Sequence, residues 1–161
     1  MKQKPPKELR AFKVFAIKEG TVIDHINVGH AIKIIRLLNL ADEKKVVTVG
    51  LNFQSKNLGM KDLIKVEKRE LTPEEISQVA VLAPEATINI IRNYKVTKKF
   101  KAQIPELIEY VIVCPNPNCI TNHENIRTKF HVRYEKKNIN LKCNYCERLF
   151  VREEIKEYKN N

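Results

Sequence analysis

Two cysteine pairs restrict what this chain can fold into more than any other feature. Cys114 and Cys119 stand in CPNPNC, Cys143 and Cys146 in CNYC, with 23 residues between the pairs and no other cysteine in the 161 residues. A close pair puts two thiolates on one tight turn. Two such turns brought together make a tetrahedral S4 cage, with zinc–sulfur distances of roughly 2.3 Å. Four thiolates leave no open coordination position, so the spacing predicts a structural zinc ion. A redox CxxC opens a helix after a strand, whereas Cys143 closes a strand-like run and a second knuckle is present. A zinc deaminase needs H-x-E before P-C-x-x-C and an open site. His123-Glu124 and His131-Val132-Arg133 do not supply it.

With neither a signal peptide nor a membrane helix evident, the expected compartment is the cytoplasm, whose reduced thiols favour metal over disulfides for paired cysteines. The start of the chain, MKQKPPKE, is basic without the apolar segment of a signal peptide. No run of about 18 apolar residues is present, so no membrane helix is expected. A hydrophobic content of 43% supports a packed core. The net charge of +11 attracts polyanions. Its distribution matters more: residues 1–100 carry 19 Lys and Arg against 11 Asp and Glu, and residues 101–161 carry 11 against 8. The excess therefore lies away from the cysteines, which argues against a zinc ribbon that grips nucleic acid.

Along the chain, residues 10–17 (RAFKVFAI) read as a strand and residues 21–26 (TVIDHI) as a short extended piece. Ala31, Ile34, Ile35 and Leu38 fall at helical spacing and predict a helix over 28–39. Residues 46–53 and 62–67 follow as strands. Thr72-Pro73-Glu74-Glu75 then starts a helix that runs to about Ala83, with Thr72 as cap and Glu75 completing a capping box. Residues 86–91 form another strand. The order β-α-β-β-α-β is the ferredoxin-like split-βαβ pattern, a four-stranded antiparallel sheet with two helices on one face. Residues 93–105 are basic and aperiodic, an edge extension and linker; strands at 128–134, 138–143 and 149–151 then frame the cysteines. The expected fold class is α+β, with residues 1–105 as one domain and 106–161 as a small β-rich, zinc-ribbon-like domain.

Asp24-His25 lies at the junction of a strand and a helix. Either Asp24 caps the helix and His25 packs at its end, or the pair belongs to an anion site with Lys65, Lys95, Lys98 and Lys99. In that second reading lysine acts as a point charge on phosphate. No glycine-rich phosphate loop is present, so a nucleotide would be held by side chains and sheet backbone. No nucleophile–base pair, carboxylate dyad or open metal site is evident.

Five motifs carry a resemblance over roughly residues 12–151: GTVIDHI at 20–26, LGMKDLIK at 58–65, APEATIN at 83–89, VCPNPNCI at 113–120 and LKCNYCE at 141–147. In these the chain resembles the regulatory chain of aspartate carbamoyltransferase. The resemblance implies an allosteric subunit of pyrimidine biosynthesis with no activity of its own. It implies that two regulatory chains pair through their N-terminal domains and that each zinc domain docks on a catalytic chain. The implied assembly is a dodecamer of two catalytic trimers and three regulatory dimers, with neither nucleic acid nor membrane as partner. CTP and ATP would compete for one site on the N-terminal domain, with UTP and Mg2+ as further effectors. Matched by position, Asp24 and Lys65 correspond to ribose and base contacts, and His25 and Lys99 to phosphate contacts. Ala16, Ile17, Asn89, Ile91, Tyr94 and Val96 correspond to the pocket wall, and Lys61 to a phosphate or second-nucleotide contact. Cys114, Cys119, Cys143 and Cys146 are the metal ligands, and Asn116, Asn118, Glu147 and Arg148 the residues turned to the catalytic partner. Phe15 departs from the polar residue that better-studied members carry beside the base. The segment around Asn27 and Val28 lacks the proline expected there.

Overall fold

The computed structural model describes residues 14–156 together with Tyr158 and Lys159. Its first sheet contains β1 (Gly20–Ile26), β2 (Val47–Ser55), β3 (Gly59–Glu67), β4 (Thr87–Arg92) and β5 (Lys95–Lys101). The strands are antiparallel, in the order β2-β3-β1-β4-β5. Helix α1 (Ala31–Leu37) joins β1 to β2, and α2 (Pro73–Leu82) joins β3 to β4. This is the split-βαβ order, with one strand beyond the expected four. The opening strand is β1. Residues 14–17, placed in a strand by their composition, are irregular, and residues 10–13 lie outside the described residues.

Alternation decides which side of the sheet meets the helices. Ile23 pairs with Ile64 and Ile88, and Thr21 with Val66 and Ile90; all six are buried. These rows pack under Ala31, Ile34 and Leu37 of α1 and Val79, Ala80 and Leu82 of α2. The intervening residues face the other, open side. Gly20 shows how closely the strands meet: at φ +137°, a Cβ there would lie 2.0 Å from the Val66 carbonyl oxygen.

Helix α2 starts, and helix α1 ends, for local reasons. Thr72 Oγ1 accepts from the Glu75 amide at 3.2 Å, and the Glu75 carboxylate accepts from the Thr72 amide at 2.9 Å. That is the capping box expected from the sequence. Helix α1 is shorter than the periodicity suggests. Gly29 before it and Asn39 after it take positive φ, and the Leu40 amide closes back on the Ile35 carbonyl at 3.0 Å.

The second sheet has the order β6-β7-β8-β9: β6 (Leu107–Glu109), β7 (Lys129–Glu135), β8 (Asn138–Cys143) and β9 (Leu149–Val151). Ile108, Phe130 and Leu141 fill its inner face. They belong to one apolar cluster with the residues under α1 and α2, so the two sheets share a continuous core. Among the described residues no helix is long and apolar enough to cross a membrane.

Candidate functional site

The four cysteine sulfurs lie within 4.8 Å of one another, and three of the residues are buried. Cys114 Sγ is 3.8 Å from Cys146 Sγ, and Cys119 Sγ is 3.8 Å from Cys143 Sγ. An S4 tetrahedron around an ion with bonds of about 2.3 Å has edges of about 3.8 Å, so the donor set fits a tetrahedral metal. The turns are built for it. The Asn122 side chain donates to the carbonyls of Cys114 and Asn116 at 2.9 and 2.8 Å. Glu147, at φ 59°, closes the second knuckle with its amide on the Cys143 carbonyl at 3.0 Å.

Burial pushes the Cys114 and Cys143 thiols up. Burial also raises Cys146, but hydrogen bonds from the Asn116 side chain, the Arg148 backbone and the neighbouring thiols outweigh it and bring it to about 7. Four crowded thiols cannot all ionise alone; a cation would remove that conflict. Asn116 is itself buried, and its side-chain oxygen accepts from the Asn118 amide at 3.2 Å. It therefore holds the knuckle together and presents little to a partner, unlike exposed Asn118, Glu147 and Arg148.

The other cluster lies on the open side of the first sheet. Strand register sets Lys65, Val22, Asn89 and Lys99 in one row across β3, β1, β4 and β5. Asp24 stands one step along β1 on the same side. Lys61 Nζ lies 2.7 Å from Asp24 Oδ1 and 2.9 Å from Oδ2. The Asp24 carboxylate also accepts from the His25 amide at 2.7 Å, and His25 Nδ1 lies 3.5 Å from Oδ2. Asp24 therefore does not cap α1, whose N-cap is His30 with no side-chain bond. A bulge between Ile23 and Ile26, with His25 at φ 58°, turns the imidazole out of strand alternation.

That bulge is fixed from beneath. Asp62, 1% exposed, accepts from the amides of Gly29 and Asn52 at 2.9 and 3.0 Å. It ties β3 to the entry of α1 and to the bulge of β2. Beside it a groove of about 320 Å³ is lined by His25, Gln54, Ser55, Lys56, Asn57 and Lys61.

The segment from Val14 to Lys18 crosses the other end of the row. Lys65 Nζ donates to the carbonyls of Val14 and Phe15, and the Lys18 carbonyl accepts from Tyr94 at the β4–β5 turn. Ile17 and Ile91 are buried there, whereas Ala16, Tyr94 and Val96 are exposed. Burial lowers the Lys65 pKa, a cost that an anion alongside would offset. The structure thus gathers Asp24, His25, Lys61, Lys65, Asn89 and Lys99 on one face. It adds Val22, which carries no chemical signature and is placed between Lys65 and Asn89 by register alone.

Comparison with known proteins gives two family matches along the chain. Residues 12–103 match the family described as "Aspartate carbamoyltransferase regulatory chain, allosteric domain". Residues 106–156 match "Aspartate carbamoyltransferase regulatory chain, metal binding domain". The aspartate carbamoyltransferase regulatory chain of Pyrococcus horikoshii is 51% identical over 145 residues, 89% of this chain and 95% of that protein. That of Methanothermobacter thermautotrophicus is 46% identical over 156 residues, 96% of this chain and 97% of that protein. That of Chromobacterium violaceum is 44% identical over 146 residues, 91% of this chain and 96% of that protein. With a four-cysteine cage on one sheet and a basic, bulged face on the other, the chain belongs to the family of aspartate carbamoyltransferase regulatory chains.

Proposed function

We propose that residues 1–105 bind CTP or ATP in competition on the open face of the first sheet. Residues 106–161 form a domain built around one zinc ion and dock on a catalytic chain. The observation that carries the nucleotide half is the juxtaposition of Lys65, Asn89 and Lys99 in one row with the Asp24–Lys61 pair. Asp24 and Lys65 take ribose and base, and His25 and Lys99 take phosphates. Ala16, Ile17, Asn89, Ile91, Tyr94 and Val96 form the wall. Lys61, beside the groove it shares with His25, is free to exchange its carboxylate partner for a phosphate or for UTP with Mg2+. Zinc is the metal that suits four thiolates in a tetrahedral cage.

For docking, exposed Asn118, Glu147 and Arg148 lie around the cage. A groove of about 820 Å³ lined by Val113, Pro115, Pro117, Asn122 and Phe150 opens beside the first knuckle. These supply a seat for the catalytic chain. Two regulatory chains pair through residues 1–105, and three such pairs bridge two catalytic trimers. The nucleic-acid reading is weaker: Tyr145, the aromatic on the knuckles, spends its hydroxyl on the Arg127 carbonyl at 2.9 Å.

Equilibrium titration separates the two readings. CTP is expected to saturate at one molecule per chain and to be displaced by ATP. Failure of both nucleotides to bind would end the nucleotide assignment. Tight, steeply salt-dependent binding of DNA or RNA would favour the alternative.

A further inference from the structure

Helix α2 ends without a cation of its own: no basic residue lies in its last turn, and Pro84 follows its cap. The last carbonyls of a helix lack intrahelical partners and carry partial negative charge. Here the partner comes from the other sheet. Arg152, in a short 3-10 turn directly after β9, donates Nη1 to the carbonyls of Val81 and Leu82 at 3.2 and 3.4 Å. Its side chain is 16% exposed, Nη2 is held by Glu153 at 3.1 Å, and Nε is buried without a partner. A half-buried guanidinium with an unmet donor is held in a demanding position, and removing one of its partners is costly.

What lies on either side gives this contact its meaning. Five residues beyond Leu82 begins β4, which carries Asn89 and Ile91 of the open-face site. One residue before Arg152 is Val151, paired with Asn140 on β8, whose last residue is the metal-cage Cys143. Arg152 is also felt at the start of α1. Burial and the charge of Lys33 lower the His30 pKa, and Arg152 adds to that effect. His30 follows the Asp62-anchored turn from the Asp24–His25 bulge. The guanidinium thus stands where the end of α2, which leads into β4, meets the turn that follows β9.

Resting on the nucleotide reading above, we propose that Arg152 is a positioning residue for regulation. Its two bonds to the end of α2 lock the metal-bearing sheet to the nucleotide-bearing one, so that a shift of β4 and α2 on binding is passed to the docking surface. The guanidinium is neither a nucleotide contact nor a metal ligand.

The test uses the complete chain assembled with catalytic chains, comparing wild type, Arg152→Ala and Arg152→Lys. CTP affinity, zinc content and the half-saturating aspartate concentration with and without CTP are measured on each. Arg152→Ala is expected to keep CTP affinity, zinc and assembly. Its aspartate ratio should fall from a coupling of about fivefold or more to near one. Arg152→Lys keeps the charge but lacks the planar fork that serves the helix end through Nη1 and Glu153 through Nη2 at once, and is expected to show a weakened ratio. If Arg152→Ala does not assemble, the lysine variant carries the comparison alone. A full response in the assembled variants overturns the proposal, and so does a loss of response that comes only with loss of CTP binding or zinc. A wild-type complex that ignores CTP overturns the nucleotide reading and this one with it. A responsive wild type with an equally responsive Arg152→Ala overturns this one alone.

Discussion

Cys114→Ser is expected to lower bound zinc from one ion per chain to a small fraction and to abolish assembly with catalytic chains. The reason lies in the size and construction of the second sheet. Its four short strands are joined by three antiparallel pairings around Phe130 and Leu141, and the cage cysteines Cys143 and Cys146 sit at the end of β8 and just after it. A unit of this size buries too little apolar surface to stand without a staple. Structural zinc contributes on the order of 10–16 kcal/mol in small zinc peptides, and a serine in the cage forfeits much of it. Atomic absorption gives the zinc content, and sedimentation of the mixture gives the assembly. Retained stoichiometric zinc with normal assembly would contradict the structural role. CTP binding should survive in the same variant, because Asp24, Lys65 and Lys99 stand on a different sheet.

Lys65→Ala is expected to do the reverse, weakening CTP and ATP by about 10- to 100-fold while zinc and assembly remain. Losing a hydrogen bond made by a charged group costs about 1.5–3 kcal/mol, which sets that range. Lys65 also secures the carbonyls of Val14 and Phe15, so its removal loosens the segment that carries Ala16 and Ile17. Isothermal titration of the variant against wild type reads the change. Unaltered affinity for both nucleotides would place the site elsewhere.

The cage was legible because four cysteines at two short spacings leave few chemistries open, whatever the fold around them. Helix α2 was legible because Thr72, Pro73 and Glu75 each act locally, and the bonds they make are the ones their side chains favour. Strand β5 was not. Its seven residues are all exposed and four are lysine, so burial leaves no alternation, and only the two-residue turn at Asn93 and Tyr94, both at positive φ, pairs it with β4. The hydrophobic character of residues 10–17 pointed to a strand, yet 14–17 serve as a crossing segment whose carbonyls bind Lys65.

The proposed nucleotide face lies between these cases. Asp24 and His25 were visible as a pair, with two roles open. The choice against helix capping needed Lys61, brought to 2.7 Å across a bulge that no local pattern announces. Asn116, which the resemblance alone turned toward a catalytic partner, is buried beside the cage in this chain, a placement that no local pattern announces.

The central claim is that this chain carries a nucleotide signal from one sheet to a catalytic partner held by the other. The direct measurement is the aspartate saturation curve of catalytic chains assembled with it, recorded with and without saturating CTP. A displacement of half-saturation by about fivefold or more is expected, a typical size for coupling between distant sites. Superimposable curves from a fully assembled, zinc-loaded complex would contradict it.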